Sequence, residues 1–221
     1  MFHLHPHQDR TKMISVSQFL KLYGSGKHDF SRSEVNLKQA DLSEVNLTGV
    51  KLWQANLAGV NLSFAVLRNS NLSESNLTGA TLWRTDFNKA SLIKSQLSRG
   101  MLIRTNFSQA TLYKSLFNNA DMRLVCLEGA DLRGADLSGA NLSYADLRGA
   151  NLTGANLSYA DLTGAYLAQA NLSNTNQEGI IFEGVDFNQM ILPNIYVNKT
   201  ALINNKVNNI GDLRRLNKEI L

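Results

Sequence analysis

The chain has 221 residues and a mass of 24.4 kDa, is 43% hydrophobic, 8% aromatic and 18% charged, and carries a formal net charge of +4. That apolar share excludes a disordered chain, but Leu and Ala supply most of it, and the large aromatics that anchor a compact globule are scarce. No run of 18 apolar residues argues for a membrane span and the first 30 residues lack the apolar stretch of a secretory signal, so a cytoplasmic protein is expected.

Residues 1–13 read as a flexible polar leader. His3, His5 and His7 alternate within it and could chelate a metal in principle, but a polar leader gives them no fixed geometry, so neither metal nor cofactor is expected. Residues 14–34 read as an N-terminal helix and cap: Ser15 is a good N-cap, Gly24 a stop, and the segment between them is a short helix placed to cover the start of the adjoining region. Phe30 falls in a register kept elsewhere for small residues, so the entry to that region is irregular.

From Leu37 to Leu192 every fifth residue is apolar with one exception: of 32 positions, 25 are Leu, five are Phe (Phe87, Phe107, Phe117, Phe182, Phe187), one is Met122 and one is Gln177. Two residues earlier the chain is nearly always small, with 16 Ala, six Val and seven Ser or Thr. A helix would rotate about 140° at each step of five and smear Leu around its whole surface. Three extended residues place the small residue and Leu on one side and the intervening Asp or Asn on the other. The remaining two residues then turn a corner, and the second of them is Gly at 11 positions, as a turn needing positive φ prefers.

Runs such as Ala130-Asp131-Leu132-Arg133-Gly134 and Ala150-Asn151-Leu152-Thr153-Gly154 resemble the pentapeptide-repeat proteins, whose consensus is A(D/N)LXX. The resemblance covers residues 35–194. It implies an all-β fold, a right-handed quadrilateral parallel β-helix of about eight coils with four repeats per turn, closed by short helical caps at one or both ends. At a strand spacing of ~4.8 Å the rod would be roughly 38 Å long. Residues 195–221 read as a linker and a C-terminal helix, with Ile210, Leu213, Leu216 and Ile220 at near-helical spacing. That helix either covers the last coil or associates with a second copy, so any homodimer is expected to form through a rod end or this helix.

Nothing in the repeat supports catalysis. Its carboxylates are outward residues before Leu, such as Asp131, Asp136, Asp146 and Asp161, and none converges with another in a pocket. No phosphate loop or nucleophile triad occurs, and Cys126 reads as a surface thiol. The chain is therefore expected not to be an enzyme. If residues 20 apart stack, one side of the rod is unusual: Phe64, Trp83, Arg84, Met101, Ile103, Arg104, Arg123, Leu124 and Tyr144 all project from it. These residue types are enriched in interfaces and mark the candidate partner-binding surface, for a protein partner of unknown identity. A side next to it is expected to carry Trp53, Ile93, Lys94, Tyr113 and Lys114.

Charge divides along the chain. Residues 84–123 carry seven basic and two acidic residues, and residues 124–194 two basic and eight acidic. The family's topoisomerase inhibitors mimic DNA by being acidic along their length, so the alternative reading, a DNA-mimicking gyrase inhibitor conferring drug resistance, is disfavoured. Nucleic-acid binding is not expected either, since aromatics mixed into the basic band suit a protein partner.

Overall fold

The computed structural model describes residues 14–31 and 35–185. The predicted leader, the last repeats, including Phe187 and Leu192, the linker and the C-terminal helix lie outside the described residues.

Helix α1 spans Val16–Gly24. Ser15 caps it: its Oγ accepts the Gln18 N–H at 3.3 Å, and the Ser15 N–H donates back to Gln18 Oε1 at 3.0 Å. Phe19 is fully buried and meets Phe30 edge-on, with ring centroids 4.6 Å apart. The Tyr23 hydroxyl donates to the Thr48 carbonyl at 2.7 Å, and the strand after the helix pairs with the rod through Lys51 N–H to the His28 carbonyl and Phe30 N–H to the Lys51 carbonyl, both 2.8 Å. Helix and strand together cover an edge that would otherwise present unpaired backbone groups. Among the described residues no helix is long and apolar enough to cross a membrane.

The repeats wind into a parallel β-helix in which each bridge joins residues 20 apart along most of its length, from Asn36 with Asn56 to Asp161 with Ile181. Four pentapeptides therefore make one turn. Residues 61–65 show why the repeat has this composition, because all five N–H groups find acceptors. Asn61 donates to Ala40 O one coil back at 2.9 Å, Leu62 to Thr81 O one coil on at 2.8 Å, Phe64 to Trp83 O at 2.9 Å and Ala65 across the turn to Leu62 O at 2.9 Å. The fifth, Ser63 N–H, is taken by the side-chain Oδ1 of Asn61 at 3.1 Å. Asp or Asn recurs before Leu because only a short side chain with an oxygen reaches that fifth donor.

Leu and the small residue fill the axis, and nearly every one is buried. Phe87 and Phe107, one coil apart, stack with centroids at 5.2 Å and planes 7° from parallel, and Phe117 meets Phe107 edge-on at 6.0 Å. Inward hydroxyls bond to backbone carbonyls, as in Ser95 Oγ to Leu92 O at 2.7 Å and Thr105 Oγ1 to Leu82 O at 2.7 Å, so they cost little in an apolar axis. Gln177, which breaks the Leu register, is 6% exposed. Its amide donates to Thr175 Oγ1 at 2.8 Å, while its Oε1 is buried with no partner among the described residues.

Every second turn residue from Gln39 to Gly184 has positive φ, and of these 30 positions 19 are not glycine. The glycines at this position marked the conformation in the sequence. The backbone ladder imposes it on the rest.

A candidate interaction surface

The four faces of the rod are identified by their bridge residues. The first face runs through Asn56, Asn76 and Gln96 to Asp136, the second through Asn61, Thr81, Met101, Asp121, Asn141 and Asp161, the third through Val66 and Asp86 to Asp146 and the fourth through Asn71 and Ser91 to Asp131; each strand of the second ends in a corner that leads to the third. The nine residues singled out in the sequence lie on this face or on that corner. Phe64 and Trp83 meet edge-on at 4.7 Å, and the Arg84 guanidinium sits 5.9 Å from the first ring and 5.6 Å from the second. This aromatic pair and its cation form one preorganised cluster. Met101, Leu124 and Tyr144 are exposed at 48, 45 and 56%, Ile103 is half-buried and Arg104 is exposed. Arg123 is tied down: its Nε and Nη2 reach the Asp121 carboxylate at 2.8 and 2.7 Å, and this hydrogen bonding holds the Asp121 carboxyl below the usual carboxylate range.

The side carrying Trp53, Ile93, Lys94, Tyr113 and Lys114 is not adjacent to this surface. Ile93 and Tyr113 each lie ten residues from Ile103, which is half of a 20-residue turn, so their corner is diagonally opposite. There Tyr113 is covered by Lys114 at 5.3 Å and Arg133 at 5.8 Å.

Two features of the surface run against the needs of the repeat. Thr81 and Met101 stand where Asp or Asn serves the fifth N–H of other coils, so Trp83 and Ile103 lack that acceptor. The positive-φ position on this corner is never glycine over six coils: Glu44, Phe64, Arg84, Arg104, Leu124 and Tyr144 occupy it at φ 54–62°. A left-handed backbone costs a non-glycine residue about 1–2 kcal/mol, so bulky side chains are held here against local preference. Leu116, 39% exposed at another Asx position, is an outward apolar residue outside the set named from the sequence, although its departure from the repeat marks it. The exposed Tyr159 and Tyr166 also lie outside that set.

Gly164 follows Tyr144 by one coil on the same corner. A Cβ there would lie 2.6 Å from Tyr144 Cε1, whereas a Cβ at Gly154 would meet nothing within 4 Å, and both residues have φ near +65 to +69°. Gly154→Ala is therefore expected to cost about 1–2 kcal/mol through backbone strain alone, and Gly164→Ala more, because the Tyr144 ring must leave its seat. Paired thermal denaturation reads the difference. Equal losses would show that the ring does not rest on Gly164.

Cys126, Glu128 and Asp146 place ligand atoms within 4.8 Å of one another. Burial pushes the Cys126 thiol up, away from the reactive thiolate. Arg148 already neutralises the carboxylates, with Nη2 2.6 Å from Asp146 and 3.9 Å from Glu128.

A family model described as pentapeptide repeats matches eight copies between residues 55 and 189, well over half of the chain. Similar solved structures include HetL, a pentapeptide repeat protein involved in heterocyst differentiation regulation from the cyanobacterium Nostoc sp. strain PCC 7120. It is 29% identical over 82% of this chain and 98% of that one, with a TM-score of 0.45. Rfr23 from the cyanobacterium Cyanothece 51142 is 26% identical over 80% and 99%, with a TM-score of 0.22. QnrB1, a plasmid-mediated fluoroquinolone resistance protein, is 14% identical over 76% and 91% in a trypsin-treated form, with a TM-score of 0.39. No curated protein matches. With the five-residue ladder, the 20-residue bridge register and the match to the family model in agreement, this chain belongs to the pentapeptide-repeat family.

Proposed function

We propose that this protein is a non-enzymatic, cytoplasmic interaction rod, wound right-handed in about eight coils. It binds a partner protein through Phe64, Trp83, Arg84, Met101, Ile103, Arg104, Arg123, Leu124 and Tyr144. The observation that carries the reading is the second-face corner itself, where bulky and cationic residues replace glycine over the five coils from Phe64 to Tyr144 while two bridge positions give up the Asx acceptor. An apolar stripe that the buried axis does not need, placed against local backbone preference, is the mark of a surface kept for contact. A duplex mimic is not favoured, because Arg84, Lys89, Lys94, Arg99 and Arg104 occupy five successive corners and ring the rod with positive charge.

Replacing Trp83, Ile103 and Arg104 together by Ser leaves the axis intact and removes the centre of the surface. Capture from a lysate of the native organism is expected to lose the specifically bound protein with this variant. Unchanged recovery would remove the reading.

A further inference from the structure

We propose that the second face is also the contact between two antiparallel copies of this chain. The proposal rests on reading that face as an interface, and it names a second copy as an occupant.

The carboxylates of the acidic half divide by face. Asp131 is held by Arg133 at 2.7 Å and Asp146 by Arg148 at 2.6 Å, with Glu128 3.9 Å from the same Arg148. These three lie on the fourth face, on the third face and at the corner between them. Asp136, Asp161, Glu178 and Glu183 have no cation partner among the described residues. They lie on the first and second faces or at the two corners that bound the second. The unpaired cations are spread more widely, with Lys89, Lys94 and Lys114 at the other two corners and without a carboxylate partner among the described residues. Arg84, Arg99 and Arg104 have no carboxylate partner among the described residues, and all three sit at the corners bounding the second face. Past Asp41 and Glu44, that face is therefore cationic over the coils of Arg84 and Arg104 and anionic over those of Asp161 and Glu183, and apart from the Asp121–Arg123 pair these charges are uncompensated among the described residues.

A two-fold axis perpendicular to the rod, lying between the coils of Leu124 and Tyr144, turns one copy over onto the other and keeps each corner opposite its own counterpart. Arg84 then faces Glu183 of the second copy, Arg104 faces Asp161, and Leu124 faces Tyr144, each contact occurring twice. The register agrees to within two residues, since Arg84 and Arg104 are 20 apart and Asp161 and Glu183 are 22 apart. A parallel pairing in register would instead set arginine against arginine. Six coils at ~4.8 Å rise by roughly 15 Å of width give about 400 Å² per copy, half of what a stable interface buries, so the association is weak, concentration-dependent and sensitive to salt.

Sedimentation equilibrium of the full chain up to about 200 µM, a concentration that reveals weak interfaces, is expected to show monomer and dimer at low salt, with the dimer at least about tenfold weaker in 0.5 M salt. Arg84→Glu with Arg104→Glu should be monomeric. Asp161→Asn with Glu183→Arg should be monomeric as well, and the carboxamide introduced by the first of these changes still accepts the Thr163 N–H that Asp161 bonds at 2.9 Å in the parent. An equimolar mixture of the two variants should dimerise, which also shows that both fold. A parent that stays monomeric, a dimer that neither variant weakens, or a mixture that stays monomeric would each overturn the proposal. A monomeric parent that still captures a different protein through Trp83, Ile103 and Arg104 would leave the partner-binding reading standing.

Discussion

Phe107→Ala is expected to lower the unfolding free energy by about 3–5 kcal/mol, among the largest losses available to a single substitution in this chain. Phe107 is fully buried, stacks on Phe87 one coil away and touches Phe117 edge-on, so truncation removes both ring contacts as well as the buried volume. The backbone cannot close over the gap, because it is pinned on both sides by Phe87 N–H to Asn106 O and Phe107 N–H to Cys126 O, each 2.7 Å. Phe107→Leu restores the commonest residue of the repeat and should cost less than about 1.5 kcal/mol. Denaturant titration of the two variants separates the roles. A similar loss for both would mean that ring stacking, rather than filled volume, holds this part of the axis.

Leu142→Ala is expected to cost about 2–5 kcal/mol, toward the upper end of that range. Leu142 is completely buried in the regular part of the ladder, between Met122 and Leu162 in the coils on either side. Its N–H donates to Asp161 O at 2.7 Å, and Met122 N–H donates to Asn141 O at 2.8 Å, so neighbouring coils cannot move together to fill the void. In a solenoid each coil is stabilised mainly by its neighbours, so the cavity weakens the interfaces on both sides of it. A melting temperature equal to that of the parent would place Leu142 outside the axis.

Much of this architecture is legible in residue order because the repeat is short and strict. A period of five with a small residue two places before Leu cannot be helical, and the recurrent Gly at the fifth place marks a corner with positive φ. The stacking of Phe87 on Phe107 follows from their separation by one turn of 20 residues. Helix α1 is legible for a different reason, since Ser15 and Gln18 form a capping box that needs no tertiary contact. The order of the faces is harder to read. Corners ten residues apart are opposite, not adjacent, and that becomes plain only when the bridge register is laid out around the square, as the placement of Trp53, Ile93 and Tyr113 shows.

The surface was legible as residue types and not as contacts. Exposed Phe64, Trp83 and Arg84 could be named from spacing, but their assembly into one cluster depends on rotamers chosen against neighbouring coils. Pairing of charges was hidden for the same reason. Arg133 and Arg148 each bond the Asp two residues earlier, which local spacing allows, whereas Arg84, Arg99 and Arg104 meet no carboxylate among the described residues, and the nearby Asp86 and Asp121 are bonded by Arg68 and Arg123.

By itself, then, the sequence determined the winding unit, the composition of the axis and the net charge of each stretch, since these depend only on periodicity and counting. The tertiary structure decided which charges are neutralised, which corners face one another and where positive φ is borne by residues other than glycine. Those outcomes follow from contacts between coils 20 residues apart, and only the closed backbone ladder brings such residues within hydrogen-bonding distance.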